Sequence, residues 1–250
     1  MNELAIRLWG LVIAITIKKE NTIMGILSFL KKSPARTQIQ TSIAPYKDSS
    51  TNFIYNLLFC DDLNLFKEKT KQPYTYPYNI LFSETSTSTD LQEIIDDKIS
   101  DPRIKILAYN RQRSTGHKTT KKELLAVIVE VGLKHGLDVL ACFENGTARY
   151  INQTGKILIW ETTNDETANK ITNDLFVSSQ KIVDEIGIGS IPRRPNPKKG
   201  YARITFLTSE GVCFGEGPTD ALFTDPVAST ALTKSTELMQ CLTQKSLDCN

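Results

Sequence analysis

Residues Leu124–Glu161 read LLAVIVEVGLKHGLDVLACFENGTARYINQTGKILIWE, and the alternation within this stretch decides the fold. One face of its first strand carries Val127, Val129, Val131 and Leu133. The other face carries Ala126, Ile128 and Glu130, so it is nearly as apolar as the first. A strand that is apolar on both faces is expected at the centre of a sheet.

Three short polar segments interrupt this stretch and predict chain reversals. They are Lys134–Gly136, Asn145-Gly146 and Gln153–Gly155. Asp138–Glu144 and Lys156–Glu161, which border these segments, have the alternation of further strands. No proline interrupts the stretch, as expected of paired interior strands, so we predict a four-strand antiparallel meander.

The register of the central hairpin is predicted from its turn. Asn145-Gly146 favours a two-residue type I′ turn, because both central positions of that turn need a positive φ. This turn places Glu144 opposite Thr147. Glu144 and Arg149 are then expected to lie diagonally on one face at the solvated end of the hairpin.

The chain after the meander predicts two helices and a second hairpin. The capping-box spacing of Thr163–Glu166 starts a helix with an apolar stripe, which Gly187 is placed to end. Tyr201–Thr208 and the segment that follows the turn at Ser209–Gly211 have the pattern of two strands. Asp225-Pro226 has the form of an N-cap and a first helical residue, and it opens the last helix.

These elements predict an α+β fold. We expect an antiparallel sheet, made of the four-strand meander plus a C-terminal hairpin, packed by two amphipathic helices, with a smaller mixed N-terminal region. Residues 1–50 are predicted to be an N-terminal extension and linker, and residues 51–120 a mixed helix and strand region. Residues 121–250 are predicted to form the α+β core, in one continuous globule with 51–120.

The N-terminal extension contains an apolar run at Leu8–Ile17. Ten residues are too few to span a bilayer, which takes about 20. Three interpretations stay open: an upstream extension with Met24 as the true start, a segment that touches a membrane surface, and a signal peptide. The last of these lacks a cleavage site of small residues after the apolar run.

A seven-residue similarity links two segments of the N-terminal region. Tyr55–Asp61 reads YNLLFCD and Tyr78–Glu84 reads YNILFSE. Either the two segments are a duplicated half-motif on one surface, or they are short strands or helical turns under similar packing demands. Further along, capping-box spacing from Thr89 predicts a helix to about Ile99, and Pro102 opens another.

Charge and cysteine content restrict the class of protein. The formal net charge is +2 over 250 residues, with +4 in residues 1–50 and therefore −2 in the remainder. This excess is too small to indicate a nucleic-acid or membrane surface. The cysteines are five in number and form no C-x-x-C pair, so we expect buried thiols in a reducing compartment and a cytoplasmic location.

Catalytic motifs are weak in this sequence. His135 lies near Asp138 and Cys142, but proximity in sequence does not supply the geometry of a nucleophile and its base. Gly215-Glu216-Gly217 follows a predicted strand, although Glu216 would repel a phosphate bound there. We predict no cofactor and no metal, since ligand spacing and phosphate-binding loops are absent, and we lean against an enzyme.

The best candidate contact surface is a basic, proline-rich loop at Pro192–Gly200, with the sequence PRRPNPKKG. Prolines lower the entropic cost of ordering a loop when it binds. The alternative is a solvated connector between a helix and a strand. Two residues outside the loop, in or beside predicted turns, complete the candidate binding set, which is Arg193, Arg194, Lys198, Lys199, His135 and Glu216.

Three functional hypotheses remain open at this point. The first is a non-catalytic binding or regulatory module that contacts a protein partner through a surface loop or a sheet edge. The second is an enzyme or small-ligand-binding protein with a pocket between residues 55–84 and the sheet. The third is a peripheral membrane protein tethered through residues 4–30.

Overall fold

A computed structural model describes residues 43–119, 122–186 and 193–248 of the chain. Its six strands are β1 (Leu124–Leu133), β2 (Gly136–Phe143), β3 (Ala148–Ile151), β4 (Ile157–Trp160), β5 (Tyr201–Thr208) and β6 (Gly211–Pro218). They form one antiparallel sheet in the order β4-β3-β2-β1-β5-β6. The meander therefore continues into the C-terminal hairpin through the pairing of β1 with β5.

Eight helices accompany the sheet in the part of the chain that the structure describes. They are α1 (Ser49–Leu57), α2 (Leu63–Lys69), α3 (Tyr78–Leu81), α4 (Ser88–Asp96), α5 (Pro102–Ser114), α6 (Glu166–Glu185), α7 (Thr219–Thr224) and α8 (Ala228–Asp248). The predicted α+β class, with its antiparallel sheet and its two long amphipathic helices, is confirmed.

The sheet is covered on both faces, which explains why β1 is apolar on both. On one face, Val127 and Val129 share a core with α6 and α8, through residues such as Leu175 and Leu238. On the other face, Ile128 shares a second core with the N-terminal helices. The molecule thus has three layers, and the N-terminal helices complete one of its two cores.

The N-terminal region differs in content from the expectation. Residues 51–119 form helices and turns and no strand. The two similar segments begin with Tyr55 in α1 and Tyr78 in α3, so both are helical. Tyr55 and Leu81 are fully buried in the same core, which is consistent with similar packing demands.

The predicted register of the β2–β3 hairpin is wrong by one residue. Thr147 lies opposite Phe143 rather than Glu144, because the Phe143 N–H donates to Thr147 O at 2.9 Å. Gly146 has φ 85° and its N–H donates to Phe143 O at 2.9 Å, so the loop has three residues and ends in a left-handed glycine. Asn-Gly is compatible with this loop as well as with the two-residue turn.

The shifted register also changes the charge pairing that we expected across the hairpin. Arg149 pairs with Glu161 after β4, and not with Glu144. Glu144 lies 3.9 Å from the Nζ atom of Lys105 on α5. The partners of Arg149 and Glu144 therefore both lie outside the β2–β3 hairpin.

Helix starts were predicted to within a few residues. α4 begins at Ser88 with Thr87 as its N-cap, two residues before the predicted Thr89, and Thr87 and Asp90 form the reciprocal capping box. α5 begins at Pro102 as predicted, with Asp101 as N-cap. The short helix α7, which precedes α8, was not predicted. The predicted helix end at Gly187 lies outside the described residues.

Among the described residues, no helix has the length and apolar content to cross a membrane. The apolar run Leu8–Ile17 and the proposed start at Met24 lie outside the described residues.

Candidate functional site

The candidate residues gather at one end of the sheet, where β1 ends and β5 begins. The Gly200 N–H donates to Gly132 O at 2.8 Å, and the Thr219 N–H donates to Gly200 O at 2.9 Å. These bonds hold the loop 193–200 beside the β1–β2 turn, which contains Lys134 and His135. We call this region, made of residues 134–135 and 193–200, the loop end of the sheet.

A buried ion network lies beneath the loop, on the face that packs against the N-terminal helices. Glu130 is fully buried and Arg203 is 2% exposed. The Tyr55 hydroxyl donates to Glu130 Oε1 at 2.6 Å, and Arg203 Nη1 donates to Glu130 Oε2 at 3.3 Å. Burial raises the pKa of Glu130, while the Arg203 charge opposes that rise. Each oxygen of the carboxylate therefore accepts one hydrogen bond.

Arg203 also fixes the loop to the sheet. Its guanidinium donates to Arg194 O at 3.2 Å and to Pro195 O at 2.6 Å. Two further bonds, from Nε at 2.9 Å and Nη2 at 2.6 Å, reach Glu216 Oε2 on β6. Glu216, a candidate binding residue, is therefore paired across the sheet with Arg203.

Arg193 is inserted into the N-terminal core rather than turned toward solvent. Its side chain is 6% exposed and its Nη1 atom lies 3.6 Å from Asp61 Oδ2. The guanidinium carbon lies 4.3 Å from the ring centroid of Phe59 and 5.3 Å from that of Tyr55. Arg193 also donates to Asn56 Oδ1 on α1. This residue anchors the loop to the N-terminal layer.

The remaining cations of the loop are exposed. Arg194 lies with its guanidinium carbon 5.0 Å from the ring centroid of Phe214. Lys198 places its Nζ atom 4.2 Å from the ring centroid of Tyr201. Lys199 and His135 are exposed as well. The structure thus separates two roles within the candidate set: Arg193 and Glu216 hold the loop, and the other four face outward.

Lys134 belongs to the same exposed group but was not among the candidates. Its turn and the basic loop are more than 50 residues apart in the sequence. Only the pairing of β1 with β5 brings them together, and the register Val131 to Ala202 sets their spacing. A sequence-based prediction that β1 pairs with β5 would have placed Lys134 beside the basic loop.

A second buried carboxylate, Asp138, lies near the start of β2. The Tyr150 hydroxyl donates to its Oδ2 at 2.9 Å, and the Gln153 N–H donates to its Oδ1 at 2.5 Å. Asp138 is fully buried, and burial raises its pKa to about 6. The group joins β2 to the β3–β4 turn.

The arrangement does not assemble the His135, Asp138 and Cys142 combination. Cys142 is fully buried against α6, with Sγ 3.8 Å from Thr172 Oγ1. Burial raises the pKa of its thiol to about 12, which keeps it protonated at neutral pH. His135 is in an exposed turn, so the thiol and the imidazole occupy different environments.

Asp138 gives the stability of the fold a defined pH dependence. Its folded pKa of about 6 exceeds the ordinary 3.8, so the folded state binds this proton more tightly than the unfolded chain does. The resulting stabilisation, roughly 2–3 kcal/mol, is complete below about pH 4 and is lost as the pH rises through about 6. Asp138→Asn is expected to remove this dependence, as measured by urea unfolding across that range.

Asn keeps an oxygen for the Gln153 N–H and offers an amide to the Tyr150 oxygen, so the variant is expected to fold. The decisive quantity is the difference in unfolding free energy between the variant and the wild type at each pH. A constant difference from pH 4 to pH 6 would show that Asp138 does not titrate there.

Comparisons add no family to this description. Within the residues described by the structure, no three His, Cys, Asp or Glu side chains gather to hold a metal ion. No known family model matches the chain, and a search of curated proteins found no similar sequence.

Proposed function

We propose that this chain is a non-catalytic binding module that holds an acidic segment of a protein partner at the loop end of its sheet. One observation carries the proposal. The loop 193–200 is fixed from below, by Arg193 to the N-terminal helices and by Arg203 to the sheet, while Lys198 and Lys199 extend into solvent on its outer side.

The fixed loop lowers the cost of binding. Ordering a flexible loop on association costs about 0.5–1.5 kcal/mol for each immobilised side chain, in addition to the backbone. Here the carbonyls of Arg194 and Pro195 already accept bonds from Arg203, and Pro197 is buried. A partner therefore meets a loop whose backbone is already ordered.

The charge of the outer side favours an acidic partner. Lys134, Lys198 and Lys199 are exposed together, while the acid beneath them, Glu216, is paired with Arg203. One exposed acid, Asp220, follows closely in the first turn of α7 and bounds the basic surface. Such a surface raises the association rate of an acidic segment, and salt weakens the effect.

A non-catalytic role is supported by the state of the buried acids. Glu130 is held by Tyr55 and Arg203, and Asp138 by Tyr150 and Gln153. Perturbed carboxyl groups mark catalytic sites when they line a cleft and can meet a substrate. These two are fully buried and hydrogen-bonded, which is the arrangement of structural polar groups.

The pocket hypothesis receives less support. The space between residues 55–84 and the sheet is filled by a packed core that includes Tyr55, Phe59 and Leu81. A tether through residues 4–30 falls outside the described residues. Within the proposal, the setting is a reducing compartment such as the cytoplasm, consistent with the free, buried thiols of Cys60, Cys142 and Cys213.

The test is a titration of the full chain against a fluorescently labelled oligoglutamate peptide, followed by anisotropy at several salt concentrations. Lys198→Glu/Lys199→Glu is expected to lower the affinity about tenfold, because two attractive charges become repulsive. The matched control is Lys67→Glu/Lys71→Glu, which makes the same charge change at exposed positions on and after α2. This control is expected to bind as the wild type does.

Equal losses in both double variants would mean that the peptide senses only the net charge, and the loop would have no special role. A wild-type chain that fails to bind the peptide at low salt would remove the proposal altogether. A single-stranded oligonucleotide is titrated in parallel. Tighter binding of the oligonucleotide, sensitive to the same two lysines, would replace the protein partner with a nucleic acid.

A further inference from the structure

The edge strand β4 is the least protected part of the sheet. It consists of Ile157–Trp160, has no charged residue or proline, and pairs with β3 without a bulge. Sheet proteins usually protect an edge strand with one of these devices. Ile159 is 58% exposed, and among the strand residues that the structure describes it is the one large apolar side chain exposed to this degree.

Among the described residues, no strand pairs with the outer side of β4, where its backbone offers hydrogen-bonding groups. The Asn152 N–H donates to Lys156 O at 3.0 Å, so Lys156 belongs to a hydrogen-bonded pair with β3. Antiparallel ladders alternate, and Leu158 and Trp160 therefore also direct their N–H and C=O groups toward β3. The N–H and C=O groups of Ile157 and Ile159 point away from the sheet.

We propose that two copies of this chain associate by antiparallel pairing of their β4 strands, which joins the two sheets into one. The two-fold axis passes between the two copies of Leu158, so that Ile157 of each copy lies opposite Ile159 of the other. Both residues have outward backbone groups, and the pairing forms backbone hydrogen bonds between them in both directions.

The sequence of β4 suits its own copy in this arrangement. Residues that lie opposite each other across an antiparallel pair have their side chains on the same face of the sheet. When a strand pairs with its own copy about a residue, the two opposite residues therefore both have odd numbers or both have even numbers. With the axis at Leu158, Ile157 meets Ile159, and Lys156 meets the ring of Trp160 across the two-fold axis. With the axis at Ile159, Ile157 would instead face the carboxylate of Glu161.

Charge complementarity favours the same antiparallel orientation. Each strand is preceded by exposed Lys156 and followed by exposed Glu161. An antiparallel copy brings the basic end of one strand beside the acidic end of the other. A parallel copy would bring like charges together.

The area involved predicts a weak dimer. Stable interfaces bury about 1,200–2,000 Å² in total, and a strand of four residues supplies less than that. We therefore expect dissociation constants in the micromolar to millimolar range, so that the monomer dominates in dilute solution.

Sedimentation equilibrium of the full chain over a wide concentration range tests the proposal. The wild type is expected to show a monomer–dimer equilibrium, and Ile159→Lys to remain monomeric. Val177→Lys is the matched control, because it also replaces a β-branched apolar residue with lysine, at a position on α6 that is 61% exposed. It is expected to dimerise as the wild type does.

Amide exchange followed by NMR identifies the strand involved. The amides of Ile157 and Ile159 are expected to gain protection as concentration rises, while that of Leu158, already bonded to β3, changes little. A dimer that survives Ile159→Lys would overturn the proposal. A chain that stays monomeric at every concentration would overturn it as well. This holds whether the amides of Ile157 and Ile159 exchange freely or are protected by another segment of the same chain.

The position of the axis is tested by cross-linking in a Cys241→Ser/Cys249→Ser background. Hydrogen-bonded antiparallel pairs have Cα atoms about 5.5 Å apart, which suits a disulfide. Ile157→Cys/Ile159→Cys is expected to form a covalent dimer under oxidation, and Ile159→Cys alone is not. A covalent dimer from Ile159→Cys alone would place the axis at Ile159 and overturn the proposed pairing.

Discussion

Replacing Arg203 with alanine is expected to lower the free energy of unfolding by about 3–5 kcal/mol. The loss arises because Glu130 remains fully buried with its counter-charge removed. The carbonyls of Arg194 and Pro195 lose their donor in the same step, so the loop 193–200 loses part of its anchor. Urea unfolding monitored by circular dichroism measures the change.

The loss in Arg203→Ala is expected to depend on pH. Burial already raises the pKa of Glu130 above its ordinary 4.5, and removal of the Arg203 charge raises it further. The folded variant then binds this proton more tightly than the unfolded chain, so its stability falls as the pH rises above 4.5. The destabilisation is therefore largest at neutral pH and smaller in acid.

A double variant separates the buried charge from the lost packing. Glu130→Gln/Arg203→Met removes both charges, keeps an oxygen for the Tyr55 hydroxyl and fills most of the arginine volume. It is expected to be more stable than Arg203→Ala, although it changes two residues, because no unpaired charge remains buried. If the double variant is the less stable of the two, the pair itself contributes net stability, and the argument from an unpaired carboxylate is wrong.

The strands were predictable because their signal is local. β1 and β5 are recognised from alternation within ten residues or fewer. β5 has its predicted bounds, and β1 begins at Leu124, two residues before the predicted start at Ala126. The β2–β3 register was missed because Asn145-Gly146 suits both a two-residue and a three-residue loop, and the choice between them depends on the pairing of the whole hairpin. The covering of both faces by helices was implicit in the two apolar faces of β1.

The ion network of Glu130 and Arg203 could not be predicted from the sequence. Glu130 stands alone on an apolar strand face, and a lone buried carboxylate needs a partner. The sequence offers 30 lysines and arginines, and only the register of β1 against β5, which pairs Glu130 with Arg203, selects one of them. That register is non-local, since 73 residues separate the two side chains. The anchoring role of Arg193 was hidden for the same reason.

Replacing Gly132 with alanine is expected to destabilise the fold by about 3 kcal/mol, at the upper end of the range for overpacking. A Cβ atom there would lie 2.3 Å from Lys198 O and 2.6 Å from Pro197 O. Both obstacles are backbone atoms, so no side-chain rotation relieves the contact and the loop 193–200 must move. The variant is therefore expected to lose oligoglutamate affinity as well as stability.

A second glycine serves as the control for this variant. Gly116 has φ +84°, and a Cβ atom added there would meet no described atom within 4 Å, so Gly116→Ala meets backbone strain but no obstacle. Its expected cost is about 1–2 kcal/mol, with peptide binding unchanged. The two variants thus separate strain from the displacement of the loop. If Gly132→Ala bound the peptide like the wild type, the position of the loop on the sheet would not matter for binding, and the proposed binding surface would have to lie elsewhere.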